Sequence, residues 1–359
     1  MARGIQTLAD LPSWLDAAQK DEIAVRTAHN ENMQRGVLGT FGFLVTAPAS
    51  SVEENLAGAA WELSTEHGEP VASRVERPTL ERGYTFTWRD AATRWSRRWY
   101  WHATADDQAK ELNNILVGDI LRLQRELGLA AFGNAARVND QGNVVYTWFN
   151  GDGEVPAEYN GRTFAAPHSH FATTGATTLG GADLTWLVRT ITEHGYGIDG
   201  NGQLCILINP DDAGQVVGLR AGVDGSDWDF VHGQGAPAYL SAETIQGQVA
   251  PAEYQGLKVI GSYGPAYVVE TSFAPVGYVA ALVSFGTNST YNALGVRQDP
   301  KPALQGLVRV PGPIATYPTI ESFYARGIGT GVRYRGAGAV LQITANPTYT
   351  PPATYTAGA

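Results

Sequence analysis

Leu112, Leu116, Ile120, Leu123, Leu127 and Ala131 recur every three or four positions, the spacing that places apolar side chains on one side of an α-helix. Thr104, Asp106 and Asp107 stand ahead of the run as candidate caps, and Gly128 and Gly133 mark its end. The pattern predicts a helix over 106–132, about 40 Å long at 1.5 Å per residue, with Ile115, Val117 and Leu121 widening its buried face. A second run, Leu184, Leu187, Val188 and Ile191, predicts a helix over 183–193 stopped by Gly195. The apolar stretch 204–208 reads as a core strand, and Asn209-Pro210-Asp211 starts a short helix carrying Val216, Val217 and Leu219.

Elsewhere the period shortens towards two. Between 65 and 104, Val71, Val75, Tyr84, Phe86 and Trp88, with Arg82-Gly83 and Asp90-Ala91-Ala92 as turn-compatible breaks, predict a long exposed β-hairpin. Residues 142–149 and 162–164 read as short strands around the turn Asn150-Gly151-Asp152-Gly153. Further strands are expected at 257–260, 267–269, 276–285, 306–310 and 332–343. Residues 1–60 read as an arm, with a polar helical stretch from Leu11-Pro12-Ser13-Trp14-Leu15 and a linker-like break at 46–51. The Pro-, Thr- and Ala-rich tail from 345 is expected to be extended or clasped by a neighbour rather than packed. No periodic repeat is evident, and the mixture of helices and strands predicts an α+β or α/β core.

Composition narrows the classes. At 359 residues the chain has room for about two domains. Its 42 glycines and 19 prolines disfavour a helical bundle, and 43% hydrophobic residues exclude general disorder. With 25 basic against 35 acidic residues the net charge is -10, which argues against a protein that coats nucleic acid over its whole surface. The single cysteine, Cys205, excludes an intramolecular disulfide and multi-cysteine zinc sites, and its apolar neighbours make it a buried, inert thiol. No stretch of about 18 apolar residues and no apolar leader occurs, so a soluble protein made in the cytosol is expected.

Few constellations suggest catalysis. His168-Ser169-His170, with Glu193-His194 downstream, would put two imidazoles on one face of a strand. Neither an HExxH motif nor a nearby acidic ligand accompanies them, so they read as a structural strand and no metal site is expected. Gly195-Tyr196-Gly197-Ile198-Asp199-Gly200 matches a dinucleotide fingerprint letter for letter but follows a helix, where its amides cannot converge on a pyrophosphate. Asn150-Gly151-Asp152-Gly153-Glu154 begins like a calcium loop, yet Gly161 occupies the position of the required glutamate. No nucleophile elbow or phosphate-binding loop is present.

The hairpin region is richer. Trp88-Arg89, Arg94-Trp95 and Arg97-Arg98-Trp99-Tyr100-Trp101 interleave cations with aromatics, as a single-strand nucleic-acid surface or a protein-protein hot spot does. Glu69, Glu76, Glu81 and Asp90 dilute the positive field, and so many aromatics on a projecting element call for a protein cover. The interface reading is preferred, with Trp88, Arg94, Trp95, Arg97, Arg98, Trp99 and Trp101 as its residues.

In this order, arm, hairpin, long helix, α/β region and late returning strand resemble the major capsid protein of tailed double-stranded DNA bacteriophages, the Hong Kong 97-type fold. The local segments His168-Ser169-His170-Phe171, Glu193-His194-Gly195-Tyr196-Gly197, Ile208-Asn209-Pro210, Gly256-Leu257-Lys258-Val259-Ile260-Gly261, Pro275-Val276-Gly277-Tyr278 and Phe323-Tyr324-Ala325-Arg326-Gly327 also look like segments of such proteins. The resemblance implies an α+β chain divided into an amino-terminal arm (1–64), an extended E-loop hairpin (65–104), a peripheral domain with a spine helix and an insertion at 137–178 (105–180), an axial domain (181–315), a peripheral return strand (316–345) and a tail (346–359). It further implies a non-enzymatic virion protein without cofactor. Such a chain assembles in the host cytoplasm into hexamers and pentamers of an icosahedral shell around double-stranded DNA. Its partners would be itself, a portal at one vertex, and scaffolding, minor capsid or decoration proteins. Some members crosslink through an E-loop lysine, but no lysine occurs between Lys20 and Lys110, so a shell without that isopeptide bond is expected. An encapsulin-like compartment and a single-strand-binding module are the alternatives.

Overall fold

The computed structural model describes residues 11–52, 66, 68, 80–96, 99, 102–234, 249–311 and 319–356, and the architecture is α+β. The long helix runs Ala105–Phe132. Thr104 caps it: its hydroxyl accepts from the Asp107 amide at 3.3 Å, and the Asp107 carboxylate accepts from the Thr104 amide at 3.0 Å. Leu116, Leu123, Leu127 and Ala131 are buried as the spacing predicts. Val117 and Leu121 are not, because the helix packs on one side against the long strand and helix Leu11–Asn32, and these two residues lie on the side that meets solvent.

That strand, Thr319–Val332, is 14 residues long, about 47 Å at ~3.4 Å per residue. Its alternate residues meet successive turns of the helix. Tyr324 packs in a cluster with Leu116, Arg326 pairs with Asp119, and the Thr330 hydroxyl donates to the Glu126 carbonyl at 3.1 Å. Around it a five-stranded sheet forms from Gly42–Val45, Leu294–Arg297, Val308–Pro311 and Thr87–Ser96. A second, eight-stranded sheet has Gln203–Ile208 and Tyr278–Ser284 at its middle, and helix Gly181–Thr192 covers it with fully buried Leu184, Leu187, Val188 and Ile191. Cys205 lies in that central strand, and burial pushes its thiol pKa up, as an inert core cysteine requires.

Several expectations are corrected. Of the stretch expected to form a self-paired hairpin, Val71 and Val75 lie outside the described residues; in the described part Thr87–Ser96 pairs over ten residues with Thr319–Ile328, and Leu80–Gly83 pairs with Ala49–Val52. Asp90-Ala91-Ala92 stays extended because the long strand supplies an uninterrupted ladder. The run 332–343 is two strands in different sheets, divided by a 3-10 turn at Arg335–Ala337 where the Arg335 side chain is drawn into the interior. Residues 36–45, read as part of an arm, enter the core: Phe41 and Phe43 are buried, and Gly42–Val45 runs parallel to Leu294–Arg297. The tail packs on its own chain. Tyr349 donates to the Phe132 carbonyl at 2.7 Å and Tyr355 to the Phe273 carbonyl at 2.5 Å, and the Tyr355 ring stacks on Phe132 over Gly128.

One alternation in the long strand controls this packing. Gly327, Gly329 and Gly331 share a face, stripped of side chains, and the chain from Gly83 to Trp88 crosses it. A Cβ at Gly329 would sit 1.6 Å from the Thr85 carbonyl oxygen, and one at Gly331 2.4 Å from that of Gly83. Thr85 bridges the crossing: its amide donates to the Thr330 carbonyl at 3.1 Å, and its hydroxyl accepts from the Thr330 amide at 2.9 Å. Gly329→Ala is expected to destabilise the subunit by about 3 kcal/mol, since backbone must move. Gly118→Ala, at an exposed helix position with nothing within 4 Å, is expected to stabilise it by about 0.5–1 kcal/mol. Denaturant midpoints of the two variants check both signs.

Candidate assembly interface

Register determines what the five-stranded sheet shows to solvent. Paired residues of an antiparallel ladder share a face, so Trp88, Asp90, Ala92 and Arg94 line up with Phe323, Ala325, Val308 and Val310 on the side away from the long helix. This face is apolar with charged positions in it, and it is open: Trp88 is 40% exposed and Val310 50%. Trp88 stands edge-on to Phe86, ring centroids 5.8 Å apart, over the bare Gly327 opposite it. Trp88 and Arg94 are thus brought to one face. Trp99 is half-buried in the turn between ribbon and helix, its amide donating to the Ser96 hydroxyl at 3.1 Å. The side chain of Trp95, and Arg97, Arg98 and Trp101 altogether, lie outside the described residues.

Behind this face the subunit is tied by buried charge. Arg326 grips Asp119 bidentately at 2.5 and 2.6 Å; the same carboxylate meets His29 Nε2 at 2.7 Å, and Arg326 also donates to Asn30. Helix Leu11–Asn32 is thereby fastened to the long helix and the long strand at once. A second centre lies in the 137–178 segment. Arg335, fully buried, donates to the Thr147 and Trp148 carbonyls, pairs with Asp152 at 2.8 Å and Glu154 at 2.9 Å, and lies over the Tyr146 and Phe149 rings. Arg82 joins from the other side, pairing with Glu154. The turn at 150–154, the would-be calcium loop, is therefore a clasp for two arginines.

The histidines depart furthest from expectation. Only a single bridge, Asn150 to Ser169, replaces the strand expected through 168–170. The Nε2 atoms of His168 and His170 are 3.0 Å apart, and His194 Nε2 is 3.1 and 3.0 Å from them. His170 Nδ1 donates to the Gly338 carbonyl at 2.7 Å. Phe149 and Phe164 wall the cluster. Burial lowers the pKa of all three rings, that of His194 to about 3 and that of His170 well below its ordinary value; Arg335 adds to the effect at His168 and His170, Arg162 at His194, and neighbouring rings at His170 and His194.

No protein-family model matches the chain, and no curated protein matches it. Among solved structures, a chain from Mycobacterium phage Patience is 30% identical and superposes with a TM-score of 0.75 over 96% of this chain and 92% of its own. The capsid of an empty GTA particle is 15% identical at a TM-score of 0.48, covering 88% of this chain and 89% of its own. The mature capsid of bacteriophage PhiM1 is 11% identical at 0.48, covering 84% and 85%. Fold and relative together define a capsid shell protein. More narrowly, the chain belongs to the Hong Kong 97-type family of major capsid proteins of tailed double-stranded DNA bacteriophages.

The arginine clasp has a pH signature. Burial raises the Glu154 pKa, but the hydrogen bonds and charges of Arg82 and Arg335 outweigh it, leaving the group below its ordinary value. A depressed carboxylate stabilises the fold fully above its unfolded pKa, about 4.3, and that contribution is lost as the pH falls through the folded value. Glu154→Gln is expected to cost about 2 kcal/mol at neutral pH, less than a fully buried pair because the carboxylate keeps 20% exposure. The deficit should shrink once the pH drops below the carboxylate range, as urea midpoints measured against pH would show.

Proposed function

We propose that this chain builds an icosahedral shell of hexamers and pentamers around double-stranded DNA, and that the exposed ribbon face is covered by a neighbouring copy. The reading rests on the 30% identical phage relative and on one observation: Trp88, Ala92, Phe323 and Val310 form an open apolar face on an element braced from behind. Within this reading Ala105–Phe132 serves as the spine helix and the stretch around Thr87–Ser96 as the E-loop. The sheet centred on Gln203–Ile208 is the axial core, and Thr319–Val332 is the strand that returns to the peripheral domain. Obligate interfaces of this kind bury about 2,000–5,000 Å², so many modest contacts carry the shell.

The subunits hold by noncovalent contact, since no lysine between Lys20 and Lys110 offers an E-loop amine for an isopeptide link. The net charge of -10 disfavours adhesion of packaged DNA to the wall. A portal at one vertex and scaffolding or decoration proteins complete the proposed partners. Among the described residues, no helix is long and apolar enough to cross a membrane.

Negative-stain microscopy of the expressed protein tests the reading: closed particles are expected, and a strictly monomeric, folded protein at high concentration refutes it. Trp88→Ser with Val310→Ser should cut assembly at least about 30-fold, as loss of a hot spot worth about 2 kcal/mol does, while the circular dichroism of the subunit is kept. On a denaturing gel the assembled particles should run as single chains. A covalent ladder would remove the uncrosslinked part of the reading. Salt-sensitive oligonucleotide binding abolished by Arg97→Ala with Arg98→Ala, in a protein that does not assemble, would favour the single-strand-binding alternative instead.

A further inference from the structure

We propose that His168, His170 and His194 form a tris-imidazole site for one divalent transition-metal ion of the zinc class, which pins the 137–178 segment to the end of helix Gly181–Thr192. Three ring nitrogens from two separate stretches of chain point at one another at 3.0, 3.0 and 3.1 Å. A point about 2.1 Å from all three, the usual zinc–imidazole bond length, lies about 1.2 Å off the plane they define. An ideal tetrahedral set needs nitrogens about 3.4 Å apart, so a bound ion would spread the rings by only a few tenths of an ångström.

Hydrogen bonding alone cannot satisfy this arrangement. The Gly338 carbonyl accepts from His170 Nδ1, so in the neutral ring His170 Nε2 is a bare lone pair aimed into the cluster. If one of the other two Nε2 atoms carries a proton, it can serve one contact and two lone pairs are left facing each other. If both carry one, two N–H groups collide. Adding a proton to make an imidazolium puts another N–H into the same crowded centre and a charge between the Phe149 and Phe164 rings. A cation at the centre meets all three lone pairs at once.

The surroundings fit such an ion. Imidazole donors suit zinc, copper, nickel or iron, and zinc imposes no geometric preference of its own. The carbonyl of Gly338 acts as the outer partner that orients His170, as is usual for metal-bound imidazole. Arg335 and Arg162 are the nearby positive groups; Asp152 and Glu154 neutralise the first and Glu193 pairs with the second. Among the described residues no fourth protein ligand joins the three, and His168 is half-buried, so water completes the shell from its side. The ion would join the loop before helix Gly181–Thr192, the turn after it and, through Gly338, the strand Gly338–Gln342.

Elemental analysis of the purified, assembled protein is the first measurement, with about one zinc per chain expected after dialysis. Protein stripped with chelator should then take up Co2+ with the intense visible absorption of a four-coordinate ion, and added Zn2+ should raise its Tm by several degrees. His168→Ala, at the half-buried position, should remain folded and lose both the stoichiometric metal and the cobalt spectrum. If wild-type protein holds no metal, takes up none from excess Zn2+ or Co2+, and melts unchanged, the proposal is overturned. Equal metal in wild type and His168→Ala overturns it as well.

Discussion

Everything around the five-stranded sheet of this subunit depends on the long helix lying along the 14-residue strand Thr319–Val332. A single strand cannot bury a helix by apolar area alone, and here the seam is closed by a bidentate ion pair, Asp119 with Arg326, flanked by Tyr324 on Leu116 and by Thr330 on the Glu126 carbonyl. A buried pair of this sort adds little net stability compared with apolar packing, but it specifies register: any slip leaves a buried guanidinium without its carboxylate. His29 and Asn30 share the same charges, so the amino-terminal helix is registered by the same constraint.

With its back held this way, the strand can carry a ribbon on its far edge that has little support of its own. Among the described side chains of Thr87–Ser96 all but Thr93 are exposed, although the ladder to the long strand is unbroken over ten pairs. Such a ribbon is held along its backbone by the ladder while leaving apolar area such as Trp88 open to solvent, which suits the proposed cover by a neighbouring copy. The glycine alternation at 327, 329 and 331 aims it, because the chain from Gly83 to Trp88 can cross close only where no Cβ intervenes.

The part built on the eight-stranded sheet is held differently. The eight-stranded sheet and its helix form an ordinary apolar core around Cys205, Ile206 and Leu282. The irregular 137–178 segment, with little ladder hydrogen bonding, is gathered instead by polar centres: Arg82 and Arg335 on Asp152 and Glu154, and the three convergent imidazoles. Loops without a core of their own need such clasps, since the entropy of ordering them is not offset by apolar burial.

Periodicity alone determined the long helix to within a residue at its start, the helix over 181–192, the core strand holding Cys205 and the α+β character, because amphipathic spacing reports which residues face a core whatever that core is. The aromatic stickiness of Trp88 was also legible, and Gly327-Ile328-Gly329-Thr330-Gly331 was a signal available to a reader looking for close strand crossing. Tertiary structure alone decided that Thr87–Ser96 pairs with a strand more than two hundred residues later, that 332–343 breaks at Arg335, and that Val117 and Leu121 stay outside. It also brought His194 to His168 and His170. Local pattern records a residue's preference for burial, while a partner distant in sequence leaves no trace in it until the chain has folded and the two are in contact.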